Sequence, residues 1–473
     1  MTHDLTTASD MMIGGQSVAS QARFGVVNPA TGKVFAEAPD CSREQLDMAM
    51  NAAEKAAASW RADENARRVA IRQAADTLLA DQQDLAAVLS AEQGKPFKAA
   101  CYEVAETARW MKAATDLELP RTVVQDDATA YADIRHRPLG VVAAITPWNF
   151  PLLLAGWKLG PALLAGNTVV LKPSPFTPLS TLRLGELLAS VLPPGVVNVV
   201  SGGDELGAWM TSHPAVRKIS FTGSVPTGKA VAAAAAPDLK RITLELGGND
   251  AAIVLDDADP AAVERGLFWG AFINNGQICA GIKRIYVPEK LHDGIVEALA
   301  QRARSVRVGA GTEEGVQLGP IQNRPQFERV QGLVKEALAG GARAAAGGKA
   351  MDRPGYFFEP TILTGAAEGT RIVDEEQFGP AVPVIPYRDV DDAIERANNT
   401  KYGLSGSVWS PDIERAAEVA SRLHSGTGFV NDHLALGPHL PFGGTKWSGV
   451  GVENGSWGLE EFTELQVIYR SRK

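Results

Sequence analysis

The sequence predicts an α/β fold built on mainly parallel sheets, and three features predict it. From Pro138 onward, short β-branched runs alternate with helical segments, the pattern of strands joined by crossover helices. Before that point, apolar residues recur at helical spacing. Between the two regions, Asp116–Arg137 alternates in the manner of a hairpin. At 473 residues the chain is too long for one compact core, so two or three domains are expected, possibly discontinuous ones.

Taken in order, Leu46, Met50, Ala53, Ala57 and Trp60 mark one face of a helix. Arg67–Leu89 continues in that style and a third helix is expected over Ala99–Thr115, making the first hundred or so residues mostly helical. Thr122–Gln125 and Ala130–His136 flank the turn-like pair Asp126-Asp127 and form the expected hairpin. Expected strands follow at Val141–Ile145, Thr168–Lys172, Val196–Val200, Lys218–Thr222 and Ile242–Leu246, with helices at Thr181–Val191 and Thr227–Ala236. A second alternation starts at Ala251–Leu255 and runs through helices Leu291–Arg304 and Gln326–Ala339 to about Asn431. Trp457–Arg470 reads as a short helix and then a strand.

Composition narrows the function. A net charge of −9 without any basic run weighs against nucleic acid as a partner. The apolar runs are interrupted well before the roughly 18 residues of a membrane span. The acidic N-terminus carries no export pattern, so the expected location is cytoplasmic. Three widely spaced cysteines, Cys41, Cys101 and Cys279, form no disulfide framework and no metal-ligand pair, and the seven histidines are scattered. Chemistry is therefore expected from a lone cysteine, carboxylates and a bound cofactor, with no metal.

Four segments have the makings of a site. In Phe272–Ala280 (FINNGQICA), polar and flexible residues precede Cys279, as in a loop presenting a thiol; a buried, inert cysteine is the other reading. Glu245 in LELGG ends an apolar strand, where a desolvated carboxylate can act as a base or sit in a salt bridge. Asn149 in TPWNFP lies in a proline-stiffened loop, able to donate to an oxyanion or to bond its own turn. FTGSVPTG, residues 221–228, is a strand end, a Gly-Ser turn and a helix start, suited to a pyrophosphate. Lys172, before Pro173-Ser174, is a ribose or phosphate contact or simply a surface lysine.

PWNFP, LKPS, FTGS, LELGG, NxGQxC, EEQFGP and PFGGTKWSG occur in this order along the chain. Together they resemble the aldehyde dehydrogenase superfamily, from about Asn28 to Thr463. The resemblance implies a Rossmann-like cofactor domain (residues 1–115 and 138–245) and a catalytic α/β domain (246–431). It also implies a bridging β-hairpin for oligomerisation (116–137, with 445–473), and hence a homodimer or homotetramer. By the same resemblance Cys279 is the nucleophile, Asn149 an oxyanion donor and Glu245 the base that hydrolyses a thioester, while Lys158 and Glu453 move protons. Trp148, Lys172, Ser174, Gly223, Ser224, Gly228, Leu246, Glu376 and Phe378 match cofactor contacts.

Relatives strict for NAD often carry Glu three residues after the Lys172 position; this chain has Pro175, so NAD is favoured with NADP admitted. Trp157 stands where succinate-semialdehyde enzymes tend to place an Arg, eight residues after the oxyanion Asn. With Phe150, Leu153, Leu154 and Ile278, it implies an apolar tunnel for an aliphatic or aromatic aldehyde. Loop Asp432–Leu440 is expected at the tunnel mouth, its two histidines giving a polar lip. A coenzyme A-acylating enzyme is disfavoured by Glu245. A cysteine hydrolase lacks a partner histidine motif, and a non-catalytic scaffold sits poorly with a full set of site residues.

Overall fold

The computed structural model describes residues 10–473, which form two sheet-centred bodies and a small projecting sheet. The first body holds an eight-stranded sheet whose five central strands are parallel. Their order is Arg241–Glu245, Val216–Thr222, Val141–Ile145, Thr168–Lys172 and Val197–Val199. Val141–Ile145 and Thr168–Lys172 are buried throughout, as continuous apolar runs in a parallel sheet should be. Antiparallel strands finish both edges: Gly449–Val450 beside Arg241–Glu245, and Met11–Ile13 with Gln16–Val18 at the far side.

The second body has seven strands, with Asp250–Val254 near the middle between Ile282–Pro288 and Ser405–Trp409. Apolar clusters fill both its faces. The chain crosses between the bodies at Leu246–Asn249, directly after Glu245. Strands Thr122–Asp126 and Ala130–Pro138 form the hairpin, and Thr463–Ser471 adds to it in an unbroken antiparallel register. Asp127 closes its turn by accepting from the backbone N–H groups of Thr129 and Ala130.

The N-terminal region departs from the expected helical reading. Four strands, Met11–Ile13, Gln16–Val18, Arg23–Asn28 and Lys33–Pro39, precede the first helix, Arg43–Trp60. Met11–Ile13 is buried but only three residues long, and the other three are only partly buried, so none carries a long apolar alternation. Arg67–Leu89 is two helices, Glu64–Ala80 and Gln82–Gln93, separated at Asp81, whose carboxylate is held by Arg183. Segment 445–473 is also divided: Gly449–Val450 joins the first sheet, and only Thr463–Ser471 joins the hairpin.

Candidate active site

The first sheet winds outward from Val141–Ile145 to one side and then, from Val216–Thr222, to the other. This reversal opens a crevice between the carboxyl ends of those two neighbouring strands. Pro147-Trp148-Asn149 leaves one strand and Gly223-Ser224 leaves the other, and both line a cleft of about 420 Å³. Leu246, Glu376, Phe378 and Cys279 complete the walls that matter here. Trp148 meets Phe378 edge-on, with centroids 5.2 Å apart. Ser224 caps helix Val225–Ala235, so free N–H groups and the positive end of the helix dipole face the cleft region.

Lys172, Ser174 and Gly228 are not among those walls. Lys172 is buried and donates to the Pro173 carbonyl at 3.1 Å. Burial pushes its pKa down to about 8, against the attraction of Asp204 and Asp40. The Ser174 hydroxyl accepts from Phe176 N–H within a turn. Gly228 permits close packing instead, since a Cβ there would collide with the Leu246 side chain.

Cys279 arrives from the second body. After helix Pro260–Phe272, the consecutive residues Asn274, Asn275 and Gly276 have φ of 50°, 59° and 72°. This left-handed turn redirects the chain and sets the thiol just before strand Ile282–Pro288. Asn149 reaches the same loop: its Nδ2 donates to Gln277 O at 2.9 Å, leaving the second amide proton for another acceptor. The Asn149 carbonyl accepts from Asn274 Nδ2 (3.1 Å) and Lys95 Nζ (3.0 Å). Lys95 is ion-paired to Glu103, whose Oε1 accepts the N–H groups of Leu152 and Leu153 at the start of helix Pro151–Leu164. The Cys279 thiol is only partly exposed, and burial pushes it up to about 12, with Glu245 and Glu376 adding repulsion.

Glu245 sits beside Thr222 in the parallel register and is 2% exposed, with neither carboxylate oxygen hydrogen-bonded. Burial raises its pKa well above the usual carboxylate range, helped by Glu453 and opposed by Lys158. Lys158 Nζ donates to Glu453 Oε1 at 2.5 Å and to Thr222 Oγ1 at 2.7 Å, and Ser220 donates to the same Glu453 oxygen at 3.2 Å. Glu453 Oε2 has no partner. Orphaned buried oxygens of this kind are uncommon and signal a functional role or an ordered water.

Beside Cys279 lies an apolar cluster of Trp110, Leu154, Trp157, Ala280, Leu404 and Phe442, against which Phe150, Leu153, Leu434, Leu436 and Cys279 pack. Trp157 stacks on Trp110 at 5.6 Å and meets Phe442 edge-on at 5.5 Å. Ile278 is buried next to Cys279 but is not a member. The expected polar lip is only half present. His439 is exposed, whereas His433 is buried, bonded through Nε2 to Ala280 O at 2.7 Å, and pushed down to about 3 by desolvation.

The sequence model of the aldehyde dehydrogenase family matches residues 17–468. The chain belongs to that family. It is 38% identical over 482 residues to phenylacetaldehyde dehydrogenase of Pseudomonas fluorescens, covering 97% of this chain and 95% of that one. It is also 38% identical over 460 residues to human retinaldehyde dehydrogenase 3, covering 95% and 90% of the two chains. Among solved structures, the NAD+ complex of an aldehyde dehydrogenase from Bacillus cereus superposes with a TM-score of 0.94. That pair is 36% identical over 99% of this chain and 98% of the other. The protein is an NAD(P)-dependent aldehyde dehydrogenase.

In this aldehyde dehydrogenase Glu376 accepts from Gly248 N–H at 3.0 Å, and a Cβ on Gly247 would collide with its carboxylate, so Gly247 is needed for its approach. Burial pushes Glu376 up to about 7, against Lys283. Lys283, Asp250, Gln277 and the Lys95–Glu103 pair are absent from the sequence reading. The available signal was charge in apolar surroundings: Asp250 begins one wholly buried strand and Lys283 lies within another.

Proposed function

We propose that Cys279 is the nucleophile of the dehydrogenase, with Asn149 and Glu245 serving successive steps. The sulfur attacks the aldehyde carbon, forming a C–S bond as the carbonyl electrons move to oxygen. The free amide proton of Asn149 and the Cys279 backbone N–H hold that oxyanion. NAD(P), when bound, supplies the hydride acceptor for this adduct, and a thioester on Cys279 remains. Trp148, Gly223, Ser224, Leu246, Glu376 and Phe378 would hold the cofactor; the cleft's helix terminus, aromatic pair and glycine-cradled carboxylate fit it. Lys172 and Ser174 are proposed for its ribose and phosphate. Glu245 takes a proton from water, the water oxygen attacks the thioester, and the acid leaves as the sulfur is restored. Lys158 and Glu453 then relay the proton from Glu245. The observation carrying this reading is the buried, unpartnered Glu245 carboxylate, close enough to Cys279 for its charge to repel a thiolate there.

The proposed substrate is an apolar aliphatic or aromatic aldehyde, supported by the Trp110–Trp157–Phe442 cluster at Cys279. NAD is the proposed cofactor, because Asp204 and Asp40 already surround the Lys172 ammonium with negative charge. A homodimer or homotetramer is supported by Leu465, Val467 and Tyr469, exposed at 66%, 60% and 62% along Thr463–Ser471. No helix among the described residues is long and apolar enough to cross a membrane. The proposed setting is the cytoplasm, where three free cysteines stay reduced. A screen for NAD(P)H formation over hexanal, benzaldehyde and succinate semialdehyde, with Cys279→Ala as control, tests the reading. Turnover that survives the substitution overturns the nucleophile, and a wide preference for succinate semialdehyde overturns the tunnel.

A further inference from the structure

One buried cation beside the thiol has no part in those steps. Lys283 is the second residue of strand Ile282–Pro288, all seven residues of which are buried. Its ammonium donates to Ile278 O at 2.6 Å and Gly281 O at 3.1 Å, the carbonyls that bracket Cys279-Ala280. Gly281 leaves room for this, because a Cβ there would stand 3.1 Å from the ammonium nitrogen. Lys95, Lys158, Lys218 and Lys240 are also buried, and each has a carboxylate at ion-pair distance. Among the described residues Lys283 has none, and neither has Lys172, which bonds the Pro173 carbonyl; Lys283 meets two neutral carbonyls and the Phe378 ring, 5.9 Å from its centroid.

The charges around it point one way. Glu376 and Asp250 face both Lys283 and the thiol, and Glu245 faces the thiol from the other body. His433, bonded to the Ala280 carbonyl, has its pKa pushed down by burial and by Lys283, which keeps it neutral. All three acids oppose a thiolate, and Lys283 is the cation that favours one. Asp250 is held by Ser405 at 2.5 Å, which keeps its carboxyl in place without cancelling the ammonium.

We propose that Lys283 is a positioning residue for Cys279: its two hydrogen bonds brace the backbone on both sides of the thiol, and its unpaired charge stabilises the thiolate against Glu245, Glu376 and Asp250. The proposal rests on Cys279 being the nucleophile. In an apolar site a charge is screened weakly, so a lysine without a direct partner acts across several ångströms. A neutral side chain making the same backbone contacts would brace the loop and leave the thiol weakly acidic.

The test is alkylation of Cys279 by iodoacetamide in the full-length enzyme, followed from about pH 6 to pH 10 with the modified peptide identified by mass. Lys283→Met is expected to displace the pH–rate curve upward by at least about one unit, making alkylation near pH 8 about tenfold slower. Asp250→Asn removes an opposing charge and is expected to displace the curve downward. It also carries the test alone if Lys283→Met does not fold. An unmoved curve in folded Lys283→Met, or in Asp250→Asn, overturns the proposal, since a purely structural lysine would leave thiol acidity unchanged. Turnover by Cys279→Ala separates the two levels. If that variant stays active, the nucleophile reading fails. If it is inactive while the alkylation curves do not move, only the role of Lys283 fails.

Discussion

Lys158 and Lys283 are two buried lysines, one near Glu245 and the other near Cys279, and they are held in opposite ways. Lys158 is bonded directly to Glu453 at 2.5 Å, whereas Lys283 bonds two backbone carbonyls and meets its acids only at longer range. Pairing confines the first charge. Glu245 nearby therefore keeps a pKa raised by burial, as a general base requires. The second charge is shared among Cys279, Glu376 and Asp250. A protonatable carboxyl thus stands beside the paired lysine, and beside the unpaired one a thiol raised by burial, for whose thiolate Lys283 is the favourable charge.

The strongest way to break this contrast is to remove the proposed base, Glu245. Glu245→Gln is expected to cut steady-state turnover by about 10²–10⁴-fold while leaving a first burst of NADH, because the adduct forms but the thioester persists. In the parent enzyme, thioester hydrolysis should slow as pH falls through the raised Glu245 pKa, since protonation removes the base. A pre-steady-state pH series on the parent and Glu245→Gln reads both effects, and an unchanged profile in the variant would assign the pH limb elsewhere.

Next comes the paired lysine. Lys158→Met strands the Glu453 carboxylate in the interior and should cost about 3–5 kcal/mol of stability. Lys283→Met strands no direct partner and should cost less, so the order of the two melting temperatures checks the contrast. Asn149→Ala should lower kcat by about 10²–10³-fold, measured as turnover with saturating aldehyde. Trp157→Ala should widen the proposed apolar tunnel, and selectivity between hexanal and acetaldehyde should change by about 1–3 kcal/mol, read from kcat/KM ratios.

The smallest effect concerns Asp250, which burial raises to about 7 from an ordinary 3.8. The folded state then binds a proton more tightly than the unfolded state, so this residue's contribution to stability falls as pH rises between those values. Asp250→Asn should therefore gain more in melting temperature, relative to the parent, at about pH 8 than at about pH 5. An equal change at both would mean Asp250 is not held in its protonated form.

The parts readable in sequence were those with local, repetitive physics. Val141–Ile145 and Thr168–Lys172 stand where their apolar runs placed them, because fully buried parallel strands need no alternation. Gln16–Val18 escaped because it has a pairing partner but no buried face of its own, and Lys33–Pro39 because the face it buries is made of small residues, Ala36 and Ala38. In the site, Cys279, Glu245 and Asn149 stood out by motif and local context. Lys158 and Glu453 are 295 residues apart, and no spacing argument joins them; only the family resemblance did. Lys283 and Asp250 required three dimensions, because a charge in a strand reads as ordinary until the strand proves wholly buried.

The most direct measurement is the mass of Cys279 in Glu245→Gln after brief exposure to hexanal and NAD. A hexanoyl thioester on the Cys279 peptide, accumulating in step with one equivalent of NADH, is the expected result. An NADH burst with Cys279 unmodified, or with the acyl group on Cys41 or Cys101, would contradict Cys279 as the nucleophile.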